Sequence, residues 1–195
     1  MGAARAALGA ILLALAGVAF AQAAAPTPAP ALLAACAACH GPGGNSQLPE
    51  LPSIAGQPRI FIENQLVLIR EGLRDVPAMK AVMGGLGDEE IVALARHYAG
   101  QAAVPLVMTV QREQRLRGAE LSRRALCGTC HLADYTGQKQ VPRLAGQNEA
   151  YLRLSLKQFR DDPGPGRDTI MAATLLGMRD DDLRDLAHYL ASSRP

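Results

Sequence analysis

Cys36-Ala37-Ala38-Cys39-His40 decides the fold of this chain, because the same pattern returns 91 positions later as Cys127-Gly128-Thr129-Cys130-His131. Other landmarks recur in the same order at offsets of 90 to 92 positions: residues 52–57 as 142–147, Met79 as Met171, and Asp88 as Asp180. Landmarks that keep their order and spacing indicate an internal duplication. The chain is therefore predicted to contain two copies of one unit.

The duplication sets the domain organisation. We predict a first domain over residues 24–100 and a second over residues 110–195, called here the first and second repeats. Residues 101–109 contain Pro105 and lack a helical charge pattern, so they are predicted to be the linker. Each repeat is as long as an ordinary small domain.

Both repeats show helical periodicity, and neither shows the alternation that is typical of strands. Apolar residues near a 3.6-residue period predict helices over residues 58–74 and 148–160. A third amphipathic helix is predicted over residues 110–126, directly before the second cysteine motif. The predicted fold class is therefore all-α, with two tandem domains.

Each repeat is predicted to end with a helix that begins at an acidic residue. Asp88 and Asp180 are the predicted N-caps, because aspartate at that position accepts hydrogen bonds from free backbone N–H groups. These helices are predicted to run to Tyr98 and Ala191.

The C-x-x-C-H motif is the attachment signature of c-type haem. Two thiols three residues apart at a helix start reach the two vinyl groups of one porphyrin, and the following histidine then lies under the iron. All four cysteines of the chain belong to the two motifs. The predicted thioether residues are Cys36, Cys39, Cys127 and Cys130, and the predicted proximal iron ligands are His40 and His131.

Three other readings of the motif are weaker. A thioredoxin-like C-x-x-C needs a βαβ context, which the sequence lacks. A structural zinc site with two C-x-x-C pairs does not explain a histidine directly after each pair. Two disulfides suit an exported protein, but a bridge between positions i and i+3 stabilises a domain poorly.

The sixth iron ligand is predicted to be methionine. Met79 and Met171 are the methionines at equivalent places in the two repeats, each nine residues before the acidic start of the final helix. A thioether ligand raises the reduction potential, which suits an electron carrier. The remaining methionines of the mature chain are predicted to be packing or linker residues: Met83, Met178 and Met108.

Two further histidines compete for the same role. His97 and His188 both precede a tyrosine, but the register set by the final helices aligns His97 with Tyr189 and Arg96 with His188. A pair of equivalent ligands would share a position. Both are therefore predicted to be surface or packing histidines.

The imidazoles that ligate iron are predicted to be oriented by backbone carbonyls. A ligating histidine usually donates its second ring N–H to such a group. Pro52 lies twelve residues after His40, and Pro142 lies eleven residues after His131. We expect these two proline carbonyls to accept the histidine N–H.

The N-terminus has the pattern of a secretory signal. Arg5 precedes an apolar run over residues 6–20, and small residues follow at positions 21–23. The run is shorter than the roughly 20 residues that span a bilayer, so residues 1–23 are predicted to be a cleaved signal peptide and the protein to be periplasmic. A net charge of +2 is too small to indicate a nucleic-acid partner.

The motifs together resemble the class I cytochromes c and, in their doubling, the di-haem cytochrome c4 family. The resemblance rests on the two haem motifs, on Pro-x-(Ile/Leu)-Ala-Gly-Gln in both repeats, and on a methionine followed by an acidic helix start. It implies two covalently bound haem c groups with His/Met ligation and two domains related by a pseudo-twofold axis. It also implies electron exchange with a terminal oxidase, a dehydrogenase or a quinol-oxidising complex, with loose membrane attachment left open.

The first repeat departs from the family in its first helix. Only a turn or two of helix fits between Pro30 and Cys36 in the first repeat, so it is left open whether that helix packs on the last helix. In the second repeat, the helix before Cys127 is expected to pack on the last helix.

Residues 163–166, Pro-Gly-Pro-Gly, precede Met171 and are expected to make the two haem environments differ.

An electron carrier is the leading functional hypothesis, because no acid–base cluster or substrate-binding insertion stands out. The alternative is the cytochrome subunit of a dehydrogenase complex, or a di-haem redox enzyme with one open haem site. A structural metal or disulfide module is the third hypothesis.

Overall fold

The computed structural model describes residues 27–194, which form nine α-helices and one 3₁₀ turn at Pro42–Gly44. The helices are α1 Pro30–His40, α2 Arg59–Arg70, α3 Pro77–Met83, α4 Asp88–Ala99, α5 Arg112–Arg124, α6 Cys127–His131, α7 Glu149–Asp161, α8 Thr169–Leu175 and α9 Asp180–Ser192. Extended pairing within residues 27–194 is limited to an isolated bridge between Gln138 and Val141. The predicted all-α class is confirmed.

The signal peptide predicted at residues 1–23 lies outside the described residues. Within residues 27–194, every helix is too short or too polar to cross a membrane. Residues 100–111, between α4 and α5, contain no helix and include the predicted linker.

The duplicated sequence produces duplicated helices. α2, α3 and α4 of the first repeat correspond to α7, α8 and α9 of the second. The helix predicted over 58–74 is shorter than expected and ends at Arg70, because Gly72 has a φ of +70°, outside the helical region. The short helices α3 and α8 are additions that the periodicity did not predict.

The prediction that Asp88 and Asp180 are N-caps was wrong by one residue. Gly87 and Arg179 have the extended backbone of the cap position, and the two aspartates are the first helical residues. The carboxylates of Glu90 and Asp182 accept the cap N–H groups at 2.9 Å. A run of acidic residues in the first turn still stabilises the helix, because it faces the positive end of the dipole.

The first helix of each repeat packs on the last helix. In the second repeat α5 crosses α9 at Gly118, where an added Cβ would lie 2.1 Å from the carbonyl oxygen of Asp185. In the first repeat the shorter α1 places Leu32 and Leu33 against the core cluster that contains Leu94. The packing expected for the second repeat is confirmed, and a reduced version exists in the first.

Gly118→Ala should destabilise the second repeat by about 1–3 kcal/mol, because its methyl group has no space at the α5–α9 crossing. The control is Gly164→Ala in the loop after α7, where the nearest atom would be 3.5 Å away. Denaturant unfolding of both variants measures the difference. Equal stability of the two variants would contradict the close crossing.

Candidate haem-binding sites

The two motif histidines are the last residues of their helices, and both are buried. His40 is the last residue of α1 and His131 the last of α6, and they are 9% and 7% exposed. The Nδ1 of His40 donates to the carbonyl of Pro52, and the Nδ1 of His131 donates to the carbonyl of Pro142, both at 2.9 Å. A carbonyl only accepts, so the proton is on Nδ1. The predicted proline acceptors are confirmed.

This hydrogen bond leaves the Nε2 lone pair of each imidazole available. Burial lowers the pKa of both His40 and His131, and the proline carbonyls oppose this shift only in part. Each ring is therefore held in the neutral form, which is the form that binds a metal. The arrangement fits a haem iron bound at Nε2.

The four motif cysteines form no disulfide within residues 27–194. Cys36 and Cys127 are half-buried, whereas Cys39 and Cys130 are exposed. Burial raises the pKa of the Cys36 and Cys127 thiols. Each pair therefore presents one thiol towards the core and one towards the surface, next to a neutral imidazole, which suits attachment of a porphyrin along one edge.

The predicted methionine ligands occupy equivalent places in space as well as in sequence. Met79 is the third residue of α3 and Met171 the third of α8, and both are half-buried. Met171 and Cys127 pack against the same core cluster. Cys36 and Met79 lie against two separate clusters, which share Leu66 and Leu86 at their borders.

An arginine that sequence reasoning missed holds each methionine segment. Arg70 at the end of α2 donates to the carbonyl of Leu86 at 3.2 Å and pairs with Asp88 at 2.8 Å. Arg160 in α7 makes the equivalent contacts with Met178 and Asp180, at 2.8 and 2.5 Å. The two arginines recur at the 90-residue offset of the other landmarks, which is the signal that would have found them.

The competing histidines are not equivalent in the structure. Gly56 N–H bonds to the carbonyl of Tyr98, and Gly146 N–H bonds to the carbonyl of Leu190, which makes Tyr98 the counterpart of Leu190. The predicted register is thereby confirmed. His188 is 2% exposed and uses both ring nitrogens, accepting from Gln111 N–H at 2.9 Å and facing Glu149 at 3.2 Å. Its ring has no free nitrogen for iron.

His97 is half-exposed and packs edge-on against Tyr98, with ring centroids 4.9 Å apart. Both His97 and His188 therefore have the packing roles that the sequence predicts.

The two repeats meet through the loops that hold the histidines, residues 52–57 and 142–147. The Gln147 side chain accepts from Ser53 N–H at 2.9 Å and donates to the Ser53 carbonyl at 2.8 Å. The Gln57 side chain makes the same two bonds with the backbone of Arg143, at 2.9 and 3.1 Å. Because the bonds are reciprocal between equivalent residues, the repeats are related by a local pseudo-twofold axis.

Asn148 makes contacts between the repeats that have no counterpart at the equivalent position of the first repeat. Its side-chain amide donates to carbonyls of the first repeat, at 3.1 Å to Leu48 and 2.7 Å to Leu51. The Tyr151 N–H bonds to the Pro49 carbonyl at 3.0 Å. The N-terminal end of α7 is thus fixed against residues 48–51.

The fold and the paired sites define a class: two class I cytochrome c domains in tandem. Residues 116–194 match the family described as Cytochrome c, and residues 23–97 match the family described as Cytochrome C oxidase, cbb3-type, subunit III. The cytochrome c4 of Thiocapsa roseopersicina is 31% identical over 170 residues, covering 80% of this chain and 85% of that protein. A thiosulfate dehydrogenase electron acceptor of Thiomonas intermedia is 30% identical over 175 residues, covering 84% and 81%.

The crystal structure of cytochrome c4 from Pseudomonas stutzeri superposes with a TM-score of 0.76 at 26% identity, covering 83% of this chain and 95% of that chain. The chain belongs to the cytochrome c4 family. It is an electron-transfer protein. Its two cytochrome c domains imply covalently bound haem c.

Gln147→Leu should weaken the contact between the repeats by about 2–4 kcal/mol, because it leaves the buried Ser53 N–H and carbonyl without partners. Gln140→Leu, at an exposed position, is the control. Calorimetry of the haem-loaded protein should show the repeats of Gln147→Leu unfolding in separate transitions. Retention of the wild-type transition in that variant would count against the reciprocal glutamine contact.

Proposed function

We propose that this protein is a periplasmic electron carrier with one haem held by each repeat. The first repeat, residues 24–100, would use Cys36 and Cys39 for attachment and His40 and Met79 as iron ligands. The second repeat, residues 110–195, would use the equivalent residues, which are Cys127, Cys130, His131 and Met171. The observation that carries the proposal is the pair of equal 2.9 Å bonds from histidine Nδ1 to a proline carbonyl, which leaves a neutral Nε2 in each repeat.

The residues around each site have separate tasks. The haem iron supplies reversible one-electron transfer when it is bound. The proline carbonyls orient the imidazoles and keep them from rotating. Arg70 and Arg160 join the ends of the segments that carry Met79 and Met171 to the final helices, which favours a fixed sulfur position.

The proposed partners are redox proteins on both sides of the carrier. Similarity to a thiosulfate dehydrogenase electron acceptor supports a dehydrogenase as the electron donor, and a terminal oxidase would be the acceptor. The alternative is a permanent cytochrome subunit in a dehydrogenase complex, which the same relative supports only in part because its name describes an electron acceptor. Copurification of the protein with a dehydrogenase through size exclusion would favour the subunit over the free carrier.

Replacement of Met171 by alanine should leave the haem attached but lower the second reduction potential and open that iron to CO. Met178→Ala is the matched control, because Met178 packs against the same core cluster and is not a proposed ligand. The absorbance band of the ferric methionine–iron bond and a redox titration report the outcome. Unchanged spectra in Met171→Ala would remove this residue from the ligand set, and a high-spin haem in wild-type protein would favour the enzyme hypothesis.

Cys127→Ser should abolish or weaken attachment in the second repeat only. Pyridine haemochrome analysis should then find one covalent haem per chain in place of two, and Cys36→Ser should give the complementary loss. Matured wild-type protein without covalent haem would overturn the proposal in favour of a metal or disulfide module.

A further inference from the structure

In each repeat a buried tyrosine belongs to the core cluster on which the half-buried motif cysteine packs. In the first repeat Tyr98 of α4 is a member of the cluster that Cys36 contacts. In the second repeat Tyr135, in the loop after α6, is a member of the cluster that Cys127 contacts. The two tyrosines are 3% and 8% exposed. Each half-buried cysteine therefore has a buried phenol in its surroundings.

The two tyrosines come from different places in the repeat. The backbone carbonyls of Gly44 and Tyr135 accept the same pair of N–H groups in their loops, which makes these two residues counterparts. Tyr98 and Leu190 are counterparts, because each carbonyl accepts the glycine N–H of the Ala-Gly-Gln turn. The tyrosine thus stands on the final helix in the first repeat, opposite a loop glycine, and in the loop in the second repeat, opposite a helix leucine.

Tyr135 has a backbone conformation that favours glycine. Its φ is +59°, and the φ of its counterpart Gly44 is +83°. A large side chain is strained in this left-handed region, and such strain persists where a specific contact requires it. Tyr98 stands in a regular helix and has no such strain. The strain indicates that the side chain of Tyr135 is kept for a particular contact.

Hydroxyl groups connect each tyrosine to the half-buried cysteine of its repeat. Burial raises the pKa of the Cys36 thiol, and the Tyr98 hydroxyl opposes this shift as a hydrogen-bond donor. The Ser122 hydroxyl acts on the Cys127 thiol in the same way. The Oγ of Ser122 lies 2.9 Å from the hydroxyl oxygen of Tyr135, and Ser122 is fully buried. One serine therefore joins Tyr135 to Cys127.

The hydroxyls of the second repeat can form a relay in one direction. The Tyr189 hydroxyl donates to the Tyr135 hydroxyl at 3.4 Å. Each hydroxyl has one proton, so Tyr135 can donate to Ser122 and Ser122 can donate to the sulfur of Cys127. A cysteine sulfur that has become a thioether has no proton of its own and can only accept. The relay thus ends on a group that needs a donor.

We propose that these hydroxyls donate a hydrogen bond to the haem thioether sulfur of Cys36, from Tyr98, and to that of Cys127, from Ser122 supported by Tyr135. The inference rests on the proposed haem attachment. The sulfur that would carry the haem belongs to the protein, so its hydroxyl partners already lie beside it. They are positioning residues, because they act on the haem edge and not on the iron. A hydroxyl proton directed at the sulfur stabilises the additional electron of the reduced haem, which raises the reduction potential.

Tyr98→Phe tests the first repeat, because it keeps the aromatic ring and removes the hydroxyl. Redox titration of the haem-loaded protein, with each haem assigned by NMR, should show a lower potential for the first haem and an unchanged potential for the second. Ser122→Ala should lower the potential of the second haem only, so each repeat is the control for the other. An unchanged first potential in Tyr98→Phe, or an unchanged second potential in Ser122→Ala, would overturn the proposal.

A double variant separates the relay from a packing role. Tyr135→Phe should lower the second potential, because Ser122 loses the partner that orients its proton. Since Tyr135 acts through Ser122, the combined Tyr135→Phe and Ser122→Ala variant should have the same second potential as Ser122→Ala alone. A packing role for Tyr135 would change the free energy of unfolding and leave the second potential unchanged in Tyr135→Phe. That result, or a further fall of the potential in the double variant, would contradict the relay.

A measurement on wild-type protein keeps the proposal testable if the variants do not mature. Resonance Raman spectra of the reduced, haem-loaded protein should show carbon–sulfur stretching bands that shift when the hydroxyl protons are exchanged for deuterons. Bands that stay fixed after complete exchange would contradict the proposal. Haem content is measured on every sample: missing covalent haem counts against the proposed function, whereas full haem content with unchanged potentials counts against this inference alone.

Discussion

The hydrogen bond from a histidine Nδ1 to a proline carbonyl is the interaction on which both sites depend. It fixes the tautomer and the orientation of His40 and His131, and burial keeps both rings neutral. The acceptor is a backbone carbonyl of a loop that also contains Ala-Gly-Gln, so the position of each ring follows from the conformation of that loop. The same bond in both repeats explains how one duplicated sequence produces two equivalent sites.

These loops also join the repeats. Gln147 bonds to the peptide groups of Ser53, directly after the Pro52 that accepts from His40, and Gln57 bonds to those of Arg143 in the reciprocal way. A displacement of one repeat against the other would therefore move both proline carbonyls. The orientation of the two histidines and the contact between the repeats are therefore coupled through a few peptide groups.

The sequence was sufficient for the parts of the fold that are local or duplicated. The apolar periodicity predicted the helical class correctly, and the sequence spacings from His40 to Pro52 and from His131 to Pro142 predicted the histidine acceptors correctly. The assignment of Asp88 as the N-cap failed because Gly87 takes the cap position and Glu90 accepts the Gly87 N–H. An acidic residue at the start of a helix is compatible with either position as the cap, so the sequence pattern does not distinguish them. The contacts of Arg143 and Asn148 depend on how the repeats meet, which no periodicity within one repeat encodes.

Nitrogen NMR of the reduced, haem-loaded protein with labelled histidine tests the central claim most directly. The account predicts two imidazoles, His40 and His131, that each keep one slowly exchanging proton on Nδ1 and do not titrate through the usual histidine pKa of about 6.5. His97 and His188 would give separate signals without the influence of a haem. Titration of His40 or His131 as a free imidazole, or a proton on Nε2 in either ring, would contradict the account.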